Sequence, residues 1–361
     1  MQNTLKKIKY NYEKSITTDG ENTKNTIRTQ KIIKILHDKI KMDIINDYRN
    51  IDYSLIRPIP FEKIYIERLI KDLLNIDYNL DEINLEDLQT QKERKNNLYK
   101  KIKNKINKKK KNVLKRINKE SICNIKKSKI KKLLNKKYSA DTLGKISNKL
   151  DPYFSEVKIC GKLKTKKQDI TIFPPNNNPK REVLNSYSLV NIEDLLGTEF
   201  TEKIITINIR SQLSSTGKNF DTMYERIFAE PLNLHLRCPK MVLGEVYLIS
   251  INEYDDKKFK ENKLGFKQLS EEYLKKYISG FSSLNKRNSE EGNSNFKYER
   301  ICLLIADFSK HQPKIYNSVK ELINDGFLPK DTNLTLEGLN YNDFLDDLIS
   351  TYNKRFRHKI I

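Results

Sequence analysis

Apolar positions follow one rhythm before about residue 157 and another after it. In the first part they recur at helical spacing. Residues 1–90 are predicted to be helical, with Thr26–His37 running into Lys41–Ile45, a break at Pro58 and Pro60, and a second helical stretch over Phe61–Leu74. Through residues 91–137, Ile102, Ile106, Val113, Leu114, Ile117 and Ile122 keep a mostly helical spacing. Ser139-Ala140-Asp141 then reads as the cap of a helix reaching Leu150.

From Val157 the pattern alternates. Val157–Lys164 predicts a strand, Asp169–Phe173 a second one stopped by Pro174 and Pro175, and residues 176–179 a loop. The β-branched run Ile204–Arg210 predicts a third strand, and Ser211–Lys218 a polar turn. Phe220 to about Glu230 predicts a helix: Phe220, Met223, Tyr224, Ile227, Phe228 and Pro231 form one stripe that would face a sheet. Met241–Ile251 and Ile301–Ala306 predict buried strands separated by a polar loop at Ser283–Asn295, and Val319–Asn324 and Tyr341–Tyr352 predict helices. The order is helical, then three strands, a helix, a strand, and a further strand and helix. No internal repeat is apparent, and the class is α/β (α+β), with a central mixed sheet flanked by helices and a helical basic N-terminal region.

Charge changes this picture in one place. The 361 residues carry a formal charge of +23. Gln91–Leu150 holds 23 lysines and arginines against three acids, a net of +20, including Lys108, Lys109, Lys110 and Lys111. A segment of this kind suits a polyanion, releasing counterions from a phosphate backbone without choosing a sequence. Hydrophobic residues make up 37% of the chain, enough for a core. No apolar run approaches the roughly 20 residues of a membrane span, and Met1–Lys7 lacks the apolar stretch of a signal peptide. The expectation is a soluble protein of the bacterial cytoplasm. Cys123, Cys160, Cys238 and Cys302 are scattered and read as reduced, buried thiols.

Phosphodiester hydrolysis is commonly assisted by a hard divalent cation held by converging carboxylates. Asp169, opening an apolar strand after Lys166-Lys167-Gln168, is one candidate. Glu230 is the other, because at 100° per residue it falls on the edge of the helix stripe, while Asp221 and Glu225 lie on the opposite flank. Arg210, at the end of the third strand, and Lys218, in the turn before the helix, are the cationic candidates. Ser211, Gln212, Ser214 and Ser215 offer hydrogen bonds at the same mouth, as DNA contacts or as ordinary turn polarity. Glu245, inside an apolar strand, and Glu253 stay open as alternative acids, with Asp221 and Glu245 as a second pair; Tyr247 stands where an acid-x-Lys signature needs lysine.

Asp169, the strand ending in Arg210, and Glu230 together resemble the PD-(D/E)XK nuclease core, in the type II restriction endonuclease variant whose second acid has moved onto the following helix. The resemblance covers roughly residues 139–255. It departs in two positions: Arg210 stands for the family lysine unless Lys218 supplies it, and Gln168 stands for the proline of the Pro-Asp pair. Pro231 is expected to kink or end the helix. The resemblance implies a homodimer that cuts double-stranded DNA with Mg2+ bound by Asp169 and Glu230, on a catalytic domain over 139–361 beside a Lys-rich DNA-binding region over 1–138. A non-catalytic nucleic-acid-binding protein explains the lysines equally well. A membrane-surface binder has less support, since the basic stretch lacks Trp or Phe anchors. A P-loop is absent: Asn219 follows Gly217-Lys218.

Overall fold

The computed structural model describes residues 1–18, 33–40, 43–44, six positions between 100 and 111, and 157–172, 179–289 and 293–356. The chain forms two compact units, Met1–Arg57 with Lys158–Ile361, and Pro58–Val157. In the second, Lys100, Lys103, Asn104, Asn107, Lys108 and Lys111 are helical and exposed. Their spacing puts them on a single helix face. Lys109, Lys110, Cys123, the stretch Phe61–Leu74 and the helix expected to reach Leu150 lie outside the described residues.

The first unit is a mixed α/β fold. Strands β1 (Val157–Cys160) and β2 (Thr165–Gln168) form a hairpin, followed by β3 (Ile170–Ile172). A second hairpin, β4 (Glu182–Leu184) and β5 (Ile192–Asp194), leads through the short helix α2 (Thr198–Thr201) to β6 (Ile205–Gln212). The helix α3 (Phe220–His235) crosses to β7 (Val242–Ser250). Next come β8 (Asn252–Tyr254), α4 (Asp256–Lys260), β9 (Phe266–Gln268) and the helix α5 (Glu271–Ser283), then β10 (Arg300–Asp307), β11 (Lys314–Tyr316), α6 (Val319–Asn324) and α7 (Phe344–Phe356). The main sheet runs β11-β10-β7-β6-β3; β6, β7 and β10 are parallel, and both edge strands are antiparallel to their neighbours.

Alternation divides the sheet into two unlike faces. Ile205, Ile207 and Ile209 of β6 join Val242, Val246 and Leu248 of β7 in a core with Phe344, Leu348 and Ile349 of α7. Gly244 belongs to this face, where a Cβ would come within 3.0 Å of Phe344. The helix Gln2–Thr18, which we call α1, adds Leu5, Ile8 and Tyr12, and residues 33–44 add Leu36, Ile40 and Ile44. Buried apolar positions therefore attach these N-terminal residues to the sheet, within the unit formed by Met1–Arg57 and Lys158–Ile361. The other face lies beneath α3 and α5, where Tyr247 packs on Phe281 with ring centroids 5.2 Å apart. Asn208, Arg210, Glu245 and Tyr247 share that face, since Asn208 pairs with Glu245 and Arg210 with Tyr247.

Three local differences from expectation have physical causes. The strand expected over Val157–Lys164 turns at Gly161 into the β1–β2 hairpin. That turn lies against α3: a Cβ on Gly161 would stand 2.2 Å from Asn233 Nδ2 and 2.7 Å from its carbonyl oxygen. Gly161→Ala is therefore expected to destabilise the protein by about 1–3 kcal/mol, the usual range for overpacking, measured by urea denaturation. Pro231 does not end α3, which continues to His235; the missing N–H removes one helix bond, and Pro231 is itself buried. Phe228, expected on the buried stripe, is 39% exposed, because the contacting positions are instead Met223, Ile227, Glu230, Pro231 and Leu234.

Candidate active site

The parallel register between β6 and β7 places Arg210 two pairs beyond the Asn208–Glu245 pair, on the face covered by α3. Glu230 descends from α3 onto this spot and is 1% exposed. Its Oε1 accepts from Gln168 Nε2 at 3.2 Å and Asn208 Nδ2 at 3.0 Å. Its Oε2 lies 2.5 Å from Arg210 Nη2 and 3.5 Å from Lys166 Nζ. Lys166 and Gln168 are two apart on β2 and so share a face, which explains why both reach Glu230.

The Arg210 guanidinium also lies 2.5 Å, through Nη1, from Glu245 Oε2. It thus bridges a helix carboxylate and a strand carboxylate. The Glu245 contact is an ion pair at poor hydrogen-bond angle, so both Glu245 oxygens lack a hydrogen bond among the described residues. Burial pushes the Glu245 carboxyl up to about 8; Glu230 and Asp169 push the same way, and Arg210 opposes them. Burial also works against the Arg210 charge, but Glu245, Tyr298 and Glu230 together reinforce it. Burial raises the phenol of Tyr298, which is near the same groups. Three acids and one arginine are thereby gathered where a hydrophobic isostere would cost less.

Asp169 sits at the mouth, just before β3 and alongside the C-terminal part of β6. Its Oδ2 accepts from the Ile209 N–H at 2.7 Å and lies 3.8 Å from His37 Nε2. Its side chain is 22% exposed, so this carboxylate meets solvent while Glu230 and Glu245 do not. Asp169 and Glu230 belong to one electrostatic neighbourhood, since both act on Glu245.

Among the other sequence candidates, Lys218 is exposed and precedes α3, with Glu230 ten residues past the helix start, roughly 15 Å along the axis. Among the described residues, the cations that touch Glu230 are Arg210 and Lys166. Ser211 and Gln212 are half-buried at the end of β6. Gln212 Nε2 donates to the Ser214 carbonyl at 2.5 Å, and Ser215 bonds Asp256. Glu253 accepts from the Thr216 N–H at 2.5 Å and so fastens this turn. Asp221 and Glu225 are exposed. Lys166, Gln168, Asn208 and His37 were not expected in the site. The alternation Lys166/Gln168 beside Asp169 was the one sequence signal for two of them.

A second buried ionic cluster lies near the start of β7. Glu299 accepts from the Leu243 N–H at 2.7 Å, and Arg287 and Arg355 each approach it at 2.9 Å. His235 Nε2 is 3.5 Å away. Both Glu299 oxygens are engaged by protein donors, which marks the cluster as architecture. Cys160, Cys238 and Cys302 are buried and free.

Among the described residues, no three His, Cys, Asp or Glu side chains form a ready-made metal cage. The donors of the Asp169 cluster are nevertheless hard oxygens, and the Asp169 carboxylate is partly exposed at its mouth, so the chemistry fits a magnesium ion, which commonly takes one or two carboxylates and keeps its waters. Comparison with protein-family models, curated proteins and solved structures finds no match for this chain.

Proposed function

We propose that this protein is a magnesium-dependent, site-specific endonuclease for double-stranded DNA, of the type II restriction kind on a PD-(D/E)XK-like core, acting inside the cell as a homodimer. The observation that supports the reading is that Asp169, at a strand mouth, lies in one electrostatic neighbourhood with the buried Arg210–Glu230 pair, from a strand end and a helix. Buried ion pairs seldom repay their desolvation as stability, so a role in chemistry accounts for them better. Asp169 and Glu230 would hold Mg2+, which supplies charge stabilisation at a phosphate oxygen. Arg210 has two in-plane donor edges suited to a phosphate, and Gln168 and Asn208 orient Glu230. The exposed lysines Lys100, Lys103, Lys108 and Lys111 on one helix face support backbone binding.

A second reading, a non-catalytic nucleic-acid-binding protein, is favoured by one observation: Arg210 already neutralises both Glu230 and Glu245. Incubation of supercoiled plasmid with the protein and MgCl2 separates the two. Discrete linear fragments that disappear with EDTA are the expected result. Retention of plasmid without cutting, with manganese as well as magnesium, overturns the nuclease reading in favour of the second.

A further inference from the structure

The β1–β2 hairpin is held more tightly than a surface hairpin needs. Asn233, on the last turn of α3, accepts through Oδ1 from the Leu163 and Lys164 N–H groups at 2.8 and 3.1 Å. Its Nδ2 donates to the Lys164 carbonyl at 3.0 Å, and its own carbonyl accepts from the Lys162 N–H at 2.8 Å. Ser188 donates to the Leu163 carbonyl, and Arg237 Nη1 to the Cys160 carbonyl at 2.8 Å. The backbone of the tip is thus satisfied by protein, and its side chains are presented on a fixed frame attached to the helix that carries Glu230.

Those side chains are unlike an ordinary surface. From Lys158 to Gln168 there are five lysines and no acid. Lys166 turns inward to Glu230. Lys162, Lys164 and Lys167 form no ion pair with a described residue, and Lys164 and Lys167 are exposed. Between the first two stands Leu163, 48% exposed. Beside them Tyr187 is 66% exposed, held at φ +50°, with Lys162 Nζ 5.6 Å from its ring centroid. A positive φ is unfavourable for a tyrosine.

We infer that the β1–β2 tip, with Tyr187, is a second duplex-DNA contact, in which Lys162, Lys164 and Lys167 meet phosphates and Leu163 and Tyr187 pack on sugars and base edges within a groove. Unpaired lysines around a rigid apolar point match a polyanion that also offers apolar faces. This inference rests on the nuclease reading for its occupant, since the frame would bring the bound backbone toward the Glu230 cluster.

The test is fluorescence anisotropy of a labelled duplex across a salt series, without divalent ions. In the variant Lys162→Gln/Lys164→Gln/Lys167→Gln, each lost phosphate contact removes about 0.9 from the log–log salt slope, so the slope should fall in magnitude by roughly 2 to 3. Leu163→Ala and Tyr187→Ala should each weaken binding about 5- to 100-fold, the range of a lost stacking or apolar contact, at an unchanged slope. The same three-fold change at Lys310, Lys320 and Lys330, exposed beyond the β11 edge, should leave the slope as it was. Wild-type slope and affinity in the hairpin variants overturn the inference, as does loss of binding to anionic vesicles with duplex binding untouched. Because these measurements need no cutting, a hairpin that matters in a protein that never cleaves plasmid sinks the nuclease reading alone, and a cleaving protein indifferent to the hairpin sinks this inference alone.

Discussion

Glu299→Ala is expected to lower the stability of the fold by about 3–5 kcal/mol, the cost of removing one partner from a buried ionic cluster, read as a shift in the urea midpoint. The carboxylate is fully buried, and alanine would leave Arg287, Arg355 and the Leu243 N–H facing an empty space. The same contacts set a pH dependence. Burial alone would raise the Glu299 carboxyl, but His235, Arg355 and Arg287 overcome it and hold it at about 2, below its ordinary value near 4.5. A depressed folded-state value means the contribution is complete above about 4.5 and is lost as pH falls toward 2. Over that interval wild type should lose roughly 3 kcal/mol from this group. The alanine variant should lack that part of the acid slope; equal slopes would show that Glu299 is not the group responsible.

Arg210→Met is expected to remove both stability and cutting. Without the guanidinium, the buried Glu230 loses its nearest counter-charge and the buried Glu245 carboxyl loses its ion-pair partner, a loss of about 3–5 kcal/mol. Adding Glu245→Leu should recover most of that stability, because a buried pair replaced by apolar groups of similar volume is often neutral. Cleavage should not return with it: the loss of a group that stabilises charge in the transition state is on the order of 10²–10³-fold. A double variant that regains activity together with stability would mean that Arg210 serves only to neutralise Glu245.

The parts of this architecture that declared themselves in the sequence are those that bury long stretches of chain. The β-branched run of β6 and the apolar runs of β7 and β10 are each covered on both faces, so each stands out as a strand. The stripe of α3 gave its orientation, and with it the inward turn of Glu230. Helix α5 went unpredicted, although Leu274, Tyr277, Ile278 and Phe281 recur at helical spacing behind the Ser270 cap. The hairpins β4–β5 and β8–β9 were not legible, since three-residue strands have no measurable period. The first is secured by Arg237, whose Nη2 lies 2.6 Å from Asp194 and 3.1 Å from Glu182. The partners of Glu230 were hidden for a related reason. Lys166 and Gln168 reach it only because Gly161 folds β1 and β2 into a hairpin on α3. The bridge from Arg210 to Glu245 depends on the β6–β7 register, which no local pattern encodes.

The central claim is that Asp169, before β3, and Glu230, on α3, serve one reaction although 60 residues separate them. The most direct measurement compares wild type, Asp169→Asn and Glu230→Gln for plasmid cleavage in magnesium, with duplex binding followed in EDTA. Both variants should bind as wild type does and cut on the order of 10²–10³-fold more slowly. Cleavage at the wild-type rate by both would contradict the claim.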